Sequence, residues 1–268
     1  VSMKVKIDKR NMFLDSLRKG INLFTGAGFS KLPAPDGKKL PDAKDLCDEI
    51  CKKFNISPLY KEDLEKISSV LKRNCNSQFQ EYLRAKFTVN TYNPLYNILN
   101  EINIRSYITT NIDNLFQCII DHSSRYYLNS VTYYGASKND GEAIDYIPLH
   151  GDVKDLNSEL YFGKFELSRV AHNNDALFSL LYSKLLLAPT LFWGYGFHDG
   201  SVLNVIDSVL EKTKKNIWIQ CMPGDENIAF FRDLGLYVVE GSTEDFLKEI
   251  HDELSKDKME TFGKIDNK

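Results

Sequence analysis

Two apolar patterns alternate along this chain. Ile21-Asn22-Leu23-Phe24, Thr190 to Trp193 and Ile217 to Cys221 are short apolar runs without polar alternation, as expected of strands covered on both faces. Between them lie stretches with helical spacing: Lys6 to Lys19 (stopping at Gly20), Leu46 to Phe54, Leu64 to Phe87, Leu95 to Ile102 after Pro94, and Ile112 to Ile120. Further helices are expected at Phe178 to Leu187, Val202 to Leu210, Asn227 to Leu234, and around Phe246, Leu247, Ile250 and Leu254. Ser106 to Thr109, Val131 to Tyr134, Tyr146 to Leu149, Leu160 to Phe162 and Leu236 to Val239 read as further strands, and the polar tail after about Ser255 as frayed. Strands alternating with helices predict an α/β fold, a Rossmann-like doubly wound parallel sheet. The helices of about residues 43–102 have no strand between them and form an inserted helical layer. The pattern is that of one domain over residues 1–268.

Gly26-Ala27-Gly28 directly follows the first buried run. A strand ending in a glycine turn that opens a helix is a phosphate-binding arrangement, because backbone can approach an anion there. Packing of helix on sheet also uses such turns. Other polar signals fall after other strands: Thr110, Asn111 and Asp113, then His150 and Gly151, then Gly194 to Asp199. In open parallel sheets, strand carboxyl ends are where ligands bind. Each residue also has a plain structural role open to it: Asn111 or Asp113 as a helix cap, His150 as a core or turn histidine, Gly194 and Gly196 as packing residues. His122, His172 and His251 lie in polar, helical contexts without companions. The loop Lys31 to Asp42 is long for a connection and is a candidate flap over a ligand.

The net charge of -3 has no basic excess and argues against nucleic acid as the main partner. No apolar stretch reaches membrane-span length and the start is no signal peptide; Val1 and Ser2 precede Met3, which reads as the native start. Cys47, Cys51, Cys75, Cys118 and Cys221 are an odd, scattered set, as expected of reduced thiols in a cytoplasmic protein. They offer no close pair of pairs for zinc, so no metal site is expected.

Taken together the motifs resemble the sirtuin family. Thr25-Gly26-Ala27-Gly28-Phe29-Ser30 is similar to its dinucleotide glycine motif and Thr110-Asn111-Ile112-Asp113 to its Gln-Asn-Ile-Asp motif. Leu149-His150-Gly151 is similar to its catalytic His-Gly, and Gly194-Tyr195-Gly196-Phe197 falls where the family has Gly-Thr-Ser. The order and spacing agree from about Gly20 to Leu254. The departures are specific. No cysteine lies between Cys118 and Cys221, where sirtuin deacylases carry a four-cysteine zinc module, and Lys31 to Pro41 replaces the Gly-Ile-Pro-Asp-Phe-Arg loop. Thr110 replaces glutamine and Gly196 a serine. The pattern is closer to the zinc-less, sirtuin-like effectors of bacterial antiphage systems, which hydrolyse NAD to abort infection; these favour the Gly-Tyr-x-Phe-x-Asp pattern of Gly194 to Asp199.

That resemblance implies NAD as substrate, with Gly26, Ala27, Gly28, Ser30, Thr110, Gly194, Tyr195 and Gly196 binding it. It implies Asn111, Asp113 and His150 as catalytic residues: Asp113 for the nicotinamide carboxamide, Asn111 for water or a ribose hydroxyl, and His150 as general base. It further implies an activating homo-oligomer or defence-system partner, the chain being the effector part of a longer protein or one subunit of a complex. The rival expectations are a silent NAD or ADP-ribose sensor, an NAD-dependent protein deacylase and an ADP-ribosyltransferase.

Overall fold

In a computed structural model, the structure describes residues 4–56, 63–130, 141–162, 175–197, 200–212 and 216–265. Eight strands among these form one sheet: β1 (Lys6–Ile7), β2 (Ile21–Thr25), β3 (Ile104–Thr109), β4 (Tyr126–Ser130), β5 (Glu142–Pro148), β6 (Thr190–Trp193), β7 (Ile217–Cys221) and β8 (Tyr237–Glu240). Their spatial order is β1-β8-β7-β6-β2-β3-β5-β4. Every pairing is parallel except that of β1 with β8. The chain therefore winds outward from β2 through β3 to β5 and β4, then crosses back to β6 on the other side. The gap beyond the carboxyl ends of β2 and β6 is the topological switch point, where open α/β sheets bind ligands.

The helices are α1 (Arg10–Lys19), α2 (Ala43–Phe54), α3 (Leu64–Phe87), α4 (Leu115–Asp121), α5 (Asp175–Leu187), α6 (Gly200–Lys212), α7 (Ile228–Asp233) and α8 (Thr243–Ile265), with a 3₁₀ helix at Pro94–Glu101. All of β2 is buried, and its side chains alternate between two cores. Leu23 joins α1, α4, α8 and the 3₁₀ helix on one face, with Phe13, Leu17, Tyr96, Phe116 and Phe246. Phe24 joins α5 and α6 on the other, with Leu181, Leu185, Val202 and Ile206. The one polar side chain near the start of β2, Asn22, is satisfied by the Lys184 carbonyl at 2.8 Å. Both faces are thus covered, which is why β2, β6 and β7 read as unbroken apolar runs.

The inserted layer divides in two. Asp42 and Asp63 cap α2 and α3 by accepting from Asp45 N–H and Lys66 N–H. Leu46, Ile50, Leu71, Phe79 and Leu83 then build a third core that closes over Ile112, Val153 and Leu160. The 3₁₀ helix instead belongs to the first face of the sheet.

Several expectations change. No helix opens at the glycine turn: Ala27 to Ser30 form a turn and α2 starts at Ala43, so no helix end points at an anion there. The helix expected from Ile112 starts at Leu115, because Asp113 accepts from Leu115 N–H at 3.0 Å and spends the preceding residues on a turn. Leu160 to Phe162 is not a strand; Leu160 pairs with the side chain of Gln80 instead of a neighbouring backbone. Lys6 and Ile7, expected in the first helix, form the edge strand β1, and α1 starts at Arg10; the edge strand β4 has no apolar run to read, and the polar tail continues α8 to Ile265. The expected strand Val131 to Tyr134 and His172, His198 and Asp199 lie outside the described residues.

Candidate NAD site at the strand ends

Beyond the carboxyl ends of the sheet lies an open cavity of about 720 Å³. Its volume is in the range of small-molecule and cofactor pockets, roughly 300–1,000 Å³. All six strands from β2 through β8 other than β4 contribute to its wall: Gly26, Ala27 and Gly28 after β2, Thr110 after β3, His150 after β5, Gly194, Tyr195 and Gly196 after β6, Cys221 and Met222 at β7, and Ser242 and Thr243 after β8. Residues far apart in sequence meet because parallel strands place all their carboxyl ends on one edge.

The glycine turn and the loop after β6 interlock. Gly26 N–H donates to the Trp193 carbonyl at 3.1 Å, and Gly28 N–H to that of Gly194 at 2.9 Å. A Cβ on Gly28 would stand 2.7 Å from Gly194 Cα, and one on Gly194, whose φ is +63°, would stand 2.2 Å from Phe29 N. The glycines are therefore required first by the fit of one loop on the other. Phe29 N–H and Ser30 N–H are also consumed within the turn. Ala27 N–H and Gly196 N–H carry no acceptor among the described residues.

Polar side chains fix this geometry from behind. Gln220 accepts from Gly194 N–H at 3.1 Å and donates to the Gly241 carbonyl. Thr243, at the start of α8, accepts from Trp193 Nε1 at 3.1 Å and donates to the Gly28 carbonyl at 3.0 Å. Neither residue stood out in the sequence, although a glutamine inside the apolar run of β7 is a buried polar side chain in need of partners.

The expected site residues separate into two groups. Gly26, Ala27, Gly28, Thr110, His150, Gly194, Tyr195 and Gly196 line the cavity; Asn111, Asp113 and Ser30 are not part of its wall. Asn111 is buried and donates from Nδ2 to the Gly26 carbonyl at 3.0 Å and to Ser30 Oγ at 3.1 Å. Ser30 in turn donates to Asp113. Burial pushes the Asp113 carboxyl up to about 6, against the pull of hydrogen bonds from Leu115 N–H and Ser30. Asn111, Ser30 and Asp113 are thus a buried polar chain under the glycine turn.

Two side chains of the cavity qualify its chemistry. Lys31, the first residue of the long loop, brings a cation to the wall. Burial pushes the Cys221 thiol up to about 12, which leaves it protonated and a poor nucleophile. Among the described residues, no group of three or more His, Cys, Asp or Glu could hold a metal ion. No helix of the described residues is long and apolar enough to cross a membrane.

A family model described as the SIR2-like domain matches residues 105–238, half of the chain. The chain belongs to the SIR2-like domain family. Like the family, it is an NAD-dependent enzyme domain, of the kind that removes acyl groups or hydrolyses NAD. Among solved structures, one of Sir2Tm bound to a propionylated peptide is similar: it is 16% identical, the match covers 92% of this chain and 99% of that one, and the TM-score is 0.44. No curated protein matches this SIR2-like domain.

Proposed function

We propose that this SIR2-like domain is an NAD hydrolase that cleaves the nicotinamide–ribose bond, and that it acts as the effector of a bacterial antiphage abortive-infection system. The observation that carries the enzymatic part is His150 in the wall of the same cavity as Gly26 to Gly28 and Gly194 to Gly196. The effector part rests on the sequence: the Gly-Tyr-x-Phe-x-Asp pattern and the stretch without cysteines between Cys118 and Cys221.

NAD supplies a cationic pyridinium that leaves as neutral nicotinamide with the bonding electron pair. The residues of this chain hold the rest. Ala27 and Gly196 offer their N–H groups to the pyrophosphate and Lys31 its charge. Asn111 and Asp113 act by holding the glycine turn in shape, Asn111 through the Gly26 carbonyl. His150 accepts a proton, directly or through a ribose hydroxyl, as a water oxygen bonds to the anomeric carbon; the proton then leaves to solvent. A base of this kind contributes on the order of 10²–10⁴-fold.

Product analysis with wild type beside His150→Ala tests this. Nicotinamide and ADP-ribose from wild type, with turnover reduced about 10²-fold or more in the variant and NAD affinity kept, is the expected result. Equal turnover in both proteins removes His150 from the chemistry. NAD binding without product from wild type would make the domain a sensor, product that appears only with an acyl-lysine peptide a deacylase, and label transferred to protein an ADP-ribosyltransferase.

A further inference from the structure

We infer that Arg84, on α3 of the inserted layer, is a positioning residue for His150. The inference rests on the reading of His150 as the base. The segment after β5 closes on itself: Tyr161 N–H donates to the His150 carbonyl at 3.0 Å. It is therefore a closed loop with His150 at its neck. The neck is tight: Gly151 has φ +90°, and a Cβ there would stand 2.3 Å from the Glu159 carbonyl oxygen.

The middle of that loop is filled by the Arg84 guanidinium. Nη1 donates to the carbonyls of Asp152, Val153 and Asp155 at 3.2, 3.0 and 2.8 Å, and Nη2 donates to that of Ser158. The loop thus coils around one cation with its carbonyls pointed inward. Dipoles arranged this way repel one another unless a positive charge stands between them. The same helix grips the loop again at every fourth residue. Gln80 exchanges two hydrogen bonds with the backbone of Leu160, at 3.0 and 2.9 Å, and Asn76 and Lys72 hold Glu159 at 3.0 and 2.8 Å. Lysine at position 84 keeps the charge and loses the planar fork that spans four carbonyls. The loop then re-forms around a single point charge, and its neck moves with it. Displacement of a catalytic group by about 1 Å can cost on the order of 10²-fold.

Three proteins decide the matter: wild type, Arg84→Lys and Arg84→Ala, each followed by NAD turnover, NAD affinity and the ¹⁵N imidazole resonances of the histidines. In Arg84→Lys, kcat should fall about 10- to 100-fold with NAD affinity unchanged, since the side chains that hold the glycine turn, Asn111 and Thr243, lie outside this loop. The His150 resonance should shift while that of His251, on α8, stays. Guanidinium ion at non-denaturing concentration should restore both readouts in Arg84→Ala, and methylammonium should not. A His150 resonance unmoved in both variants, or affinity falling in step with kcat, overturns the inference. Should Arg84→Ala not fold, Arg84→Lys carries the comparison. Should wild type release no nicotinamide, the hydrolase reading falls by itself, and the His150 resonance alone decides whether Arg84 positions it.

Discussion

Asp113→Asn takes a buried charge out of the chain of groups beneath the glycine turn. Burial raises the Asp113 pKa from 3.8 to about 6. That is about two units at roughly 1.4 kcal/mol each, or about 3 kcal/mol between the folded and unfolded environments. The sign follows from the direction. The folded protein holds this proton more tightly than the unfolded chain, so the carboxyl costs nothing below pH about 4. Stability is then lost as pH rises through about 6, and the full cost is present at neutrality. Asparagine can keep the bond from Leu115 N–H, and its own N–H can turn to Ser30 Oγ, a hydroxyl with two acceptor positions. The wild-type and variant stabilities, from urea unfolding at several pH values between about 4 and 7, should therefore diverge by about 3 kcal/mol across the window, the variant gaining toward neutrality. Taking the difference between two proteins cancels the acids that do not face Asp113; the charge of Asp152, itself shifted upward by burial, contributes to the Asp113 shift and is part of the difference. Parallel stability curves would show that Asp113 is not a desolvated carboxyl, and the account of the buried chain would fail.

Gly194→Ala forces a side chain into a left-handed backbone position and onto Phe29 N, so thermal or urea unfolding should show a loss of at least about 2 kcal/mol, with NAD binding lost too. Asn111→Ala removes two hydrogen bonds to the glycine turn; stability should fall by about 1–2 kcal/mol and turnover should drop with it, since Asn111 caps no helix. A loss of stability with full turnover would leave it as a structural brace only. Lys31→Glu should raise the NAD dissociation constant roughly tenfold at low salt, about 1.4 kcal/mol, with calorimetry as the measure. Unchanged affinity would exclude Lys31 from phosphate contact.

Much of the sheet was legible because its central strands are covered on both faces, and such strands announce themselves as Leu, Ile, Phe and Trp runs. The edge strands β1 and β4 carry no such run: Lys6–Ile7 is two residues long and Tyr126–Ser130 is only partly covered. The gathering of Gly26, Thr110, His150 and Gly194 at one end follows from strand direction alone. What could not be read was depth. Asn111 and Asp113 sit in a motif that points to catalysis, yet they are buried beneath the turn instead of lining the cavity, because Ser30 and the Gly26 carbonyl take their hydrogen bonds. Arg84 was equally hidden, since its partners are backbone carbonyls, which leave no mark in a sequence.

The mutual fit of the Gly26–Gly28 turn with the Gly194 loop has a consequence for synthesis on the ribosome. The turn emerges early, but the surface that shapes it is made only when β6 follows, and Thr243, which holds the Gly28 carbonyl, later still. The cavity wall runs in sequence from Gly26 to Thr243. A nascent chain therefore has no assembled pocket until Thr243 has been translated. Under the proposed hydrolase function, that order keeps incomplete chains from cleaving NAD.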